Sequence, residues 1–195
     1  MNIESSHNKY VNLDCATVDV QAKILSDDGW AIKYISHPNP DLQIIAVKQD
    51  PWAIEYISHP CIKAQIIAVK QDPWAIEHIS HPCIKAQMIA VKKDGYTVTA
   101  IEYPSEEVQM AAVQQNGDVI KTLSYVILPV QIAAVKNCPN AIHYFEDPSI
   151  EVQLAAVKQD PSVIKYITDP CVEAKMEAES AKKLSQLLDN PGKKI

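Results

Sequence analysis

Pro60-Cys61-Ile62-Lys63-Ala64-Gln65-Ile66-Ile67-Ala68-Val69-Lys70-Gln71-Asp72-Pro73-Trp74-Ala75-Ile76-Glu77-His78-Ile79-Ser80-His81 is one copy of a pattern that runs through the chain. Its glutamine returns every 22 residues, at Gln21, Gln43, Gln65, Gln87, Gln109, Gln131 and Gln153, with Lys175 in the eighth place. A fixed period this short predicts a stack of like units, each packed on its neighbours, in place of one shared core. Residues 43–64 and 65–86 differ only at Tyr56 against His78. Copies can evidently be added without breaking the array.

Each copy reads as two helices. Counting from the glutamine as zero, helix A of the copy around Gln153 is expected from about Ser149 to Lys158. Ser149 suits an N-cap, and Glu151 places negative charge in the first turn, where the dipole favours it. The same cap place holds Thr17, Asn39, Cys61, Cys83, Ser105, Ile127 and Cys171 elsewhere, with cysteine standing as a near-isostere of serine. Asp-Pro or a glycine then stops helix A and opens a short helix B of about two turns, Pro51 to Ile57 in one copy. At about 100° per residue, the alanine at +3 and the valine at +4 flank the glutamine. The amide is therefore expected inside, bonded to backbone groups of the turn between copies, because a buried amide needs partners. In helix B, +11 (Ile32, Ile54, Ile76, Val98, Ile120, Ile142, Ile164) and +14 (Ile35, Ile57, Ile79, Ile101, Leu123, Phe145, Ile167) are the expected core.

These expectations divide the chain into an N-terminal cap or half repeat over 1–15, seven 22-residue repeats over 16–169, a C-terminal capping helix over 170–189 and a frayed tail over 190–195. No Asp-Pro break follows Cys171, which is why one longer helix is expected there. The fold class expected is all-α, a right-handed α-solenoid of 22-residue two-helix repeats with terminal caps. In the copy near Val126 the proline moves to Pro129, so a bend is expected there.

Composition narrows the function. The net charge is -6, and all 18 basic residues are lysine. Without arginine the planar fork that grips phosphates and base edges is missing, which makes nucleic acid an unlikely partner. Five cysteines, an odd number, read as reduced thiols of a cytoplasmic protein. No leader peptide or membrane span is expected from the first residues or from the hydropathy.

The phrase Pro148-Ser149-Ile150-Glu151-Val152-Gln153-Leu154-Ala155-Ala156-Val157-Lys158-Gln159-Asp160-Pro161 resembles short two-helix repeats of bacterial and phage proteins. These are similar in kind to HEAT repeats and the leucine-rich repeat variant. The resemblance covers about nine tenths of the chain. It implies an α-solenoid with a binding surface and names no reaction.

Three surfaces stand out. Positions +9 and +13 carry an aromatic row: Trp30 and Tyr34, Trp52 and Tyr56, Trp74 and His78, then Tyr96. Exposed aromatics are interface anchors, but the same rings could instead pack over the next copy's helix B; both readings stay open. Position +5 carries a lysine row, Lys48, Lys70, Lys92, Lys136 and Lys158, read either as a solvated helix-end row or as a site for an acidic ligand or nucleic acid. His59-Pro60-Cys61 and His81-Pro82-Cys83 contain zinc-ligand types, yet recur one copy apart, too far for one tetrahedral site. No metal and no cofactor are expected.

No residue combination outside the repeat grammar suggests catalysis, so the protein is expected not to be an enzyme. The reading is a non-enzymatic protein-protein interaction module or scaffold that binds a protein partner along one face. The resemblance permits a phage-encoded inhibitor of a bacterial defence protein as one form of it. The sequence leaves the partner's identity, the binding face and the oligomeric state open.

Overall fold

Aspartate followed by proline or glycine marks most of the steps from an α-helix to the short helix after it. The computed structural model describes Tyr10 and residues 12–189. The expected frayed tail at 190–195 lies outside the described residues, as does most of the expected half repeat at 1–15. The described residues form helices joined by short turns, with no strand among them. Eight α-helices are α1 (Val18–Asp27), α2 (Pro40–Gln49), α3 (Ile62–Gln71), α4 (Ile84–Lys93), α5 (Glu106–Gln115), α6 (Leu128–Asn137), α7 (Ile150–Gln159) and α8 (Val172–Asp189). Seven 3₁₀ helices alternate with them: η1 (Gly29–Tyr34), η2 (Pro51–Tyr56), η3 (Pro73–His78), η4 (Gly95–Ala100), η5 (Gly117–Thr122), η6 (Pro139–Tyr144) and η7 (Pro161–Tyr166).

One residue both ends an α-helix and starts the 3₁₀ helix after it. Asp50 sits in extended conformation, and its N–H closes α2 on the Ala46 carbonyl at 2.9 Å. Its carboxylate then accepts from the Trp52 N–H at 2.9 Å, capping η2. Asp28, Asp72 and Asp160 do the same for η1, η3 and η7. Proline at the next place fits the first helical position, whose N–H has no partner in any case.

Helix B is 3₁₀ rather than α, a finer point than the expected two turns. Six residues are too few for α-helical bonds to outweigh the fixed ends, and i→i+3 bonding puts residues three apart on one line. Ile54 and Ile57 stand three apart, and the Ile57 N–H bonds the Ile54 carbonyl at 3.1 Å. Both are buried, as are Ile32 and Ile35, Ile76 and Ile79. Leu123, Phe145 and Ile164 are only half-buried, so the +11 and +14 core thins in the later copies.

The chain divides into two compact units, Met1–Lys93 with Ala100–Tyr103, and Asp94–Thr99 with Pro104–Ile195. In the first, α1 packs on α2, α2 on α3 and α3 on α4, while η1 meets η2 and η2 meets η3. The second repeats the order from α5 to α8 and from η5 to η7. Within each unit, the α-helices thus pack on their neighbours in sequence. Ala46, Val47, Ala68, Val69, Ala90 and Val91 are fully buried in the first unit, and Ala112, Val113, Ala134, Val135, Ala156 and Val157 in the second. Small alanines let adjacent helices approach closely. Pro129 lies in the first turn of α6, which keeps the same ten-residue length as its neighbours.

The glutamines are tied into this packing unevenly. Gln43 donates to the Pro38 carbonyl at 3.0 Å, and its Oε1 accepts from the Cys61 N–H at 2.8 Å. Gln65 joins Pro60 to Cys83 and Gln153 joins Pro148 to Cys171 in the same way. Gln21 is buried and donates to Leu13; Gln87 is buried and donates to Pro82, while its Oε1 has no partner. Gln109 and Gln131 are half-buried and keep only the bond to Pro104 or Val126, against the expectation that all seven amides are enclosed.

A second set of amides, six places after the glutamine, was not anticipated. Gln49 Oε1 accepts from the Gly29 N–H at 2.8 Å, Gln115 from Gly95 at 2.8 Å and Asn137 Oδ1 from Gly117 at 2.7 Å. Where the preceding copy has proline instead of glycine, that N–H does not exist, and the side chain takes a carbonyl: Gln71 that of Val47, Lys93 that of Lys70. These glycines do not have positive φ. They are needed for closeness, because a Cβ on Gly29 would stand 2.5 Å from the Ala46 carbonyl oxygen.

No described helix is long and apolar enough to cross a membrane. The five cysteines are all free thiols.

Candidate partner-binding face

The aspartate caps fix the aromatic row from below. Because Asp28, Asp50 and Asp72 hold the N–H groups of Trp30, Trp52 and Trp74 at 2.9–3.1 Å, each indole leaves the chain at the same point of its 3₁₀ helix. The rings then lean forward. Trp30 meets Tyr56 edge-on at 5.5 Å, with 62° between the planes. Trp52 meets His78 at 5.3 Å and 71°. Tyr10 stacks on Tyr34 at 5.2 Å. Edge-to-face pairs at this separation match the ring quadrupoles. In these two pairs the +9 ring of one copy rests on the +13 ring of the next.

Polar bonds lock part of the row. Trp30 Nε1 donates to Asp50 Oδ2 at 2.6 Å, and the Tyr10 hydroxyl to Asp28 Oδ2 at 2.6 Å. Lys33 Nζ lies 5.1 Å from the Tyr34 ring centre and 5.9 Å from that of Tyr56. Trp30, Tyr34, Trp52, Trp74 and His78 are half-buried, and Tyr56 is exposed. Beside Tyr56 opens a cavity of about 360 Å³, walled by Ser36, His37, Gln43, Ser58 and His59.

Tyr96 falls in the second unit, apart from the other row members. There the +9 place of the next copy holds Asp118, which accepts from the hydroxyls of Tyr96 at 2.7 Å and Tyr144 at 2.9 Å. Lys121 pairs with the same carboxylate and lies 5.5 Å from the Tyr96 ring centre. Hydrogen bonds from Lys121, then from Tyr96 and Tyr144, hold the Asp118 carboxyl down at about 2. The bond to that carboxylate raises Tyr144 in turn. Four side chains thus form a polar hub that periodicity did not assemble. Its only signal in the sequence is an aspartate in a place that earlier copies give to aromatics.

The lysine row is exposed throughout, Lys48, Lys70 and Lys92 in the first unit and Lys136 and Lys158 in the second. None forms an ion pair with a described residue. At the cap positions Asn39, Ser105 and Ser149 accept from the backbone N–H three residues on. Cys171 Sγ does the same for the Ala174 N–H at 3.4 Å, as a near-isostere of serine would, whereas Cys61 makes no such bond and its own N–H serves Gln43. His59 and Cys61 gather no further ligand types, and among the described residues no group of three or more His, Cys, Asp or Glu is placed to hold a metal ion.

The chain matches no family model, no curated protein and no solved structure.

Proposed function

We propose that the protein is a non-enzymatic binding module that takes a protein partner through the aromatic row of its first unit. The observation behind this is the row's preorganisation. Five half-buried rings and one exposed tyrosine are held by aspartate caps and by one another, next to a cavity of about 360 Å³. Fixed aromatic surface binds with little further loss of side-chain freedom, which is the usual make-up of an interface anchor. Within each unit we read the sequential helix packing as a stretch of right-handed α-solenoid with a 22-residue repeat. Five free thiols fit a reducing compartment, and the cytoplasm is part of the same proposal.

The lysine row supports a second reading, an acidic ligand or nucleic acid, because its five exposed ammonium groups form no ion pair among the described residues. Salt separates the two. Partner capture from the native source, identified by mass spectrometry, is expected to survive about 0.5 M salt if the aromatics carry it and to vanish if the lysines do. Trp52→Ala with Trp74→Ala is expected to abolish capture and keep the far-ultraviolet helix signal. Loss of both together would leave the row with a packing role alone.

A further inference from the structure

The turn before α2 holds a carboxylate of its own chain. Ser36 stands seven places before Gln43, and Asp14 and Ser58 take the same place one copy earlier and one copy later. Asp14 Oδ1 accepts from the Ser36 N–H at 2.7 Å, and Oδ2 accepts from the Ser36 hydroxyl at 2.9 Å. Two donors of one residue thus meet the two oxygens of one carboxylate, which favours its charged form. These bonds, the backbone one first, lower the Asp14 carboxyl below its usual value, and His37 nearby lowers it further. One copy along, the donors repeat and the carboxylate does not. Ser58 and His59 stand for Ser36 and His37, but the place of Asp14 is taken by Ser36, whose short neutral side chain is spent on Asp14. No described residue bonds the Ser58 N–H or hydroxyl. Both serines line the cavity of about 360 Å³ beside Tyr56, together with His37 and His59.

We propose that this cavity takes the carboxylate of an aspartate or glutamate side chain on the protein partner. Ser58 supplies the N–H and O–H that Ser36 gives to Asp14, and His59 takes the register place that His37 holds beside Asp14. His37 adds a second imidazole to the same wall. A neutral amide suits this fork less well than a carboxylate, because one of its two ends is itself a donor and would face a donor. The cavity is larger than a carboxylate and accommodates the stem of the side chain as well. That the carboxylate comes from a protein rests on the binding role proposed for the aromatic row, to which Tyr56 belongs; the carboxylate site itself does not.

Amide-resolved NMR of the full chain near neutral pH tests it, with N-acetyl-aspartate N-methylamide as the probe. The Ser58 amide proton is expected to move downfield and saturate with a Kd of about 10 mM, the strength of one forked contact. The Ser36 amide, already on Asp14, is expected to stay in place, and the asparagine analogue to move neither. Ser58→Ala, read at the His59 amide, is expected to weaken binding about tenfold. Ser36→Asp puts a carboxylate of the chain where the preceding copy has one. It is expected to move the Ser58 amide downfield with no probe present and to abolish the response to the probe. Both serines are exposed, so the helix signal is expected to stay in both variants. A Ser58 amide that does not respond, or responds equally to the asparagine analogue, overturns the site whatever the aromatic row does. So does a Ser36→Asp variant that binds the probe as the wild type does. A response to succinate with none to the blocked aspartate overturns the assignment to a protein side chain. The tryptophan double substitution tests the row without touching Ser36 or Ser58, so the two failures stay apart.

Discussion

The same register position does opposite things in the two units. In the first, +9 is tryptophan, and its ring leans on the +13 ring of the next copy. In the second, the residue at one +9 place is Asp118, which collects two tyrosine hydroxyls and a lysine. The surroundings are alike in both: a capping residue holds the backbone N–H, as Asp50 does for Trp52 and Asn116 for Asp118. The 3₁₀ helix therefore depends on its caps and core, and the outward +9 side chain is free to change chemistry. A binding surface can diverge at such a place without endangering the fold.

The deepest common element gives the largest expected effect. Ile76→Ala in the first unit and Ile142→Ala in the second, both fully buried, are each expected to cost about 2–5 kcal/mol in denaturant unfolding. A cost under about 1 kcal/mol at either would break the claim that the core grammar is shared. Next come the glycines. Gly29→Ala and Gly95→Ala bring a Cβ to 2.5 and 2.8 Å from the carbonyls of Ala46 and Ala112. Each is expected to lose about 1–3 kcal/mol, because backbone must shift to make room; unchanged melting temperatures would refute the close approach.

The contrast itself is sharpened by salt. Trp30→Ala is expected to destabilise by about 1 kcal/mol or more through lost ring contact, equally in low and high salt. Asp118→Ala is expected to have a smaller effect that shrinks further at about 1 M salt. An identical salt response for the two variants would erase the distinction.

Acid offers a subtler separation. Asp118 is held at about 2, below the usual 3.8. A depressed carboxylate stabilises the fold above its unfolded value, and that contribution is lost as pH falls from about 4 towards 2. Asp118→Asn is expected to flatten this part of the melting-temperature profile; a profile parallel to the wild type would deny the hub any linkage. Smallest of all, Lys48→Gln is expected to stay within about 0.5 kcal/mol, since the side chain is exposed and forms no ion pair among the described residues.

Much of the architecture was legible because its signals are local. Asp-Pro and Asp-Gly steps mark where one helix stops and the next begins, and Ser149 caps its helix as its neighbours in sequence suggest. The sequence was less informative where two copies meet. It offered Gln43 as a buried amide, yet did not show that Gln109 and Gln131 would be only half enclosed. The second set of amides, from Gln49 to Asn137, went unread because their partners are N–H groups about 20 residues earlier, present only when that place is glycine. The aromatic row was visible as spacing. The reading that a ring packs over the next copy's helix B fits Trp30 on Tyr56 and Trp52 on His78, but spacing alone did not choose it over an outward-facing row.

The chain's order of residues settled, unaided, that it is helical, where most helices begin and which positions of the repeat carry the apolar core. Caps, breakers and periodicity act over a few residues and need no distant partner. Folding in three dimensions decided the rest: which amides are satisfied, that Trp30 rests on Tyr56, and that Asp118 gathers Tyr96, Tyr144 and Lys121. These depend on distances of a few ångströms between segments some 20 residues apart, and no local rule carries that information.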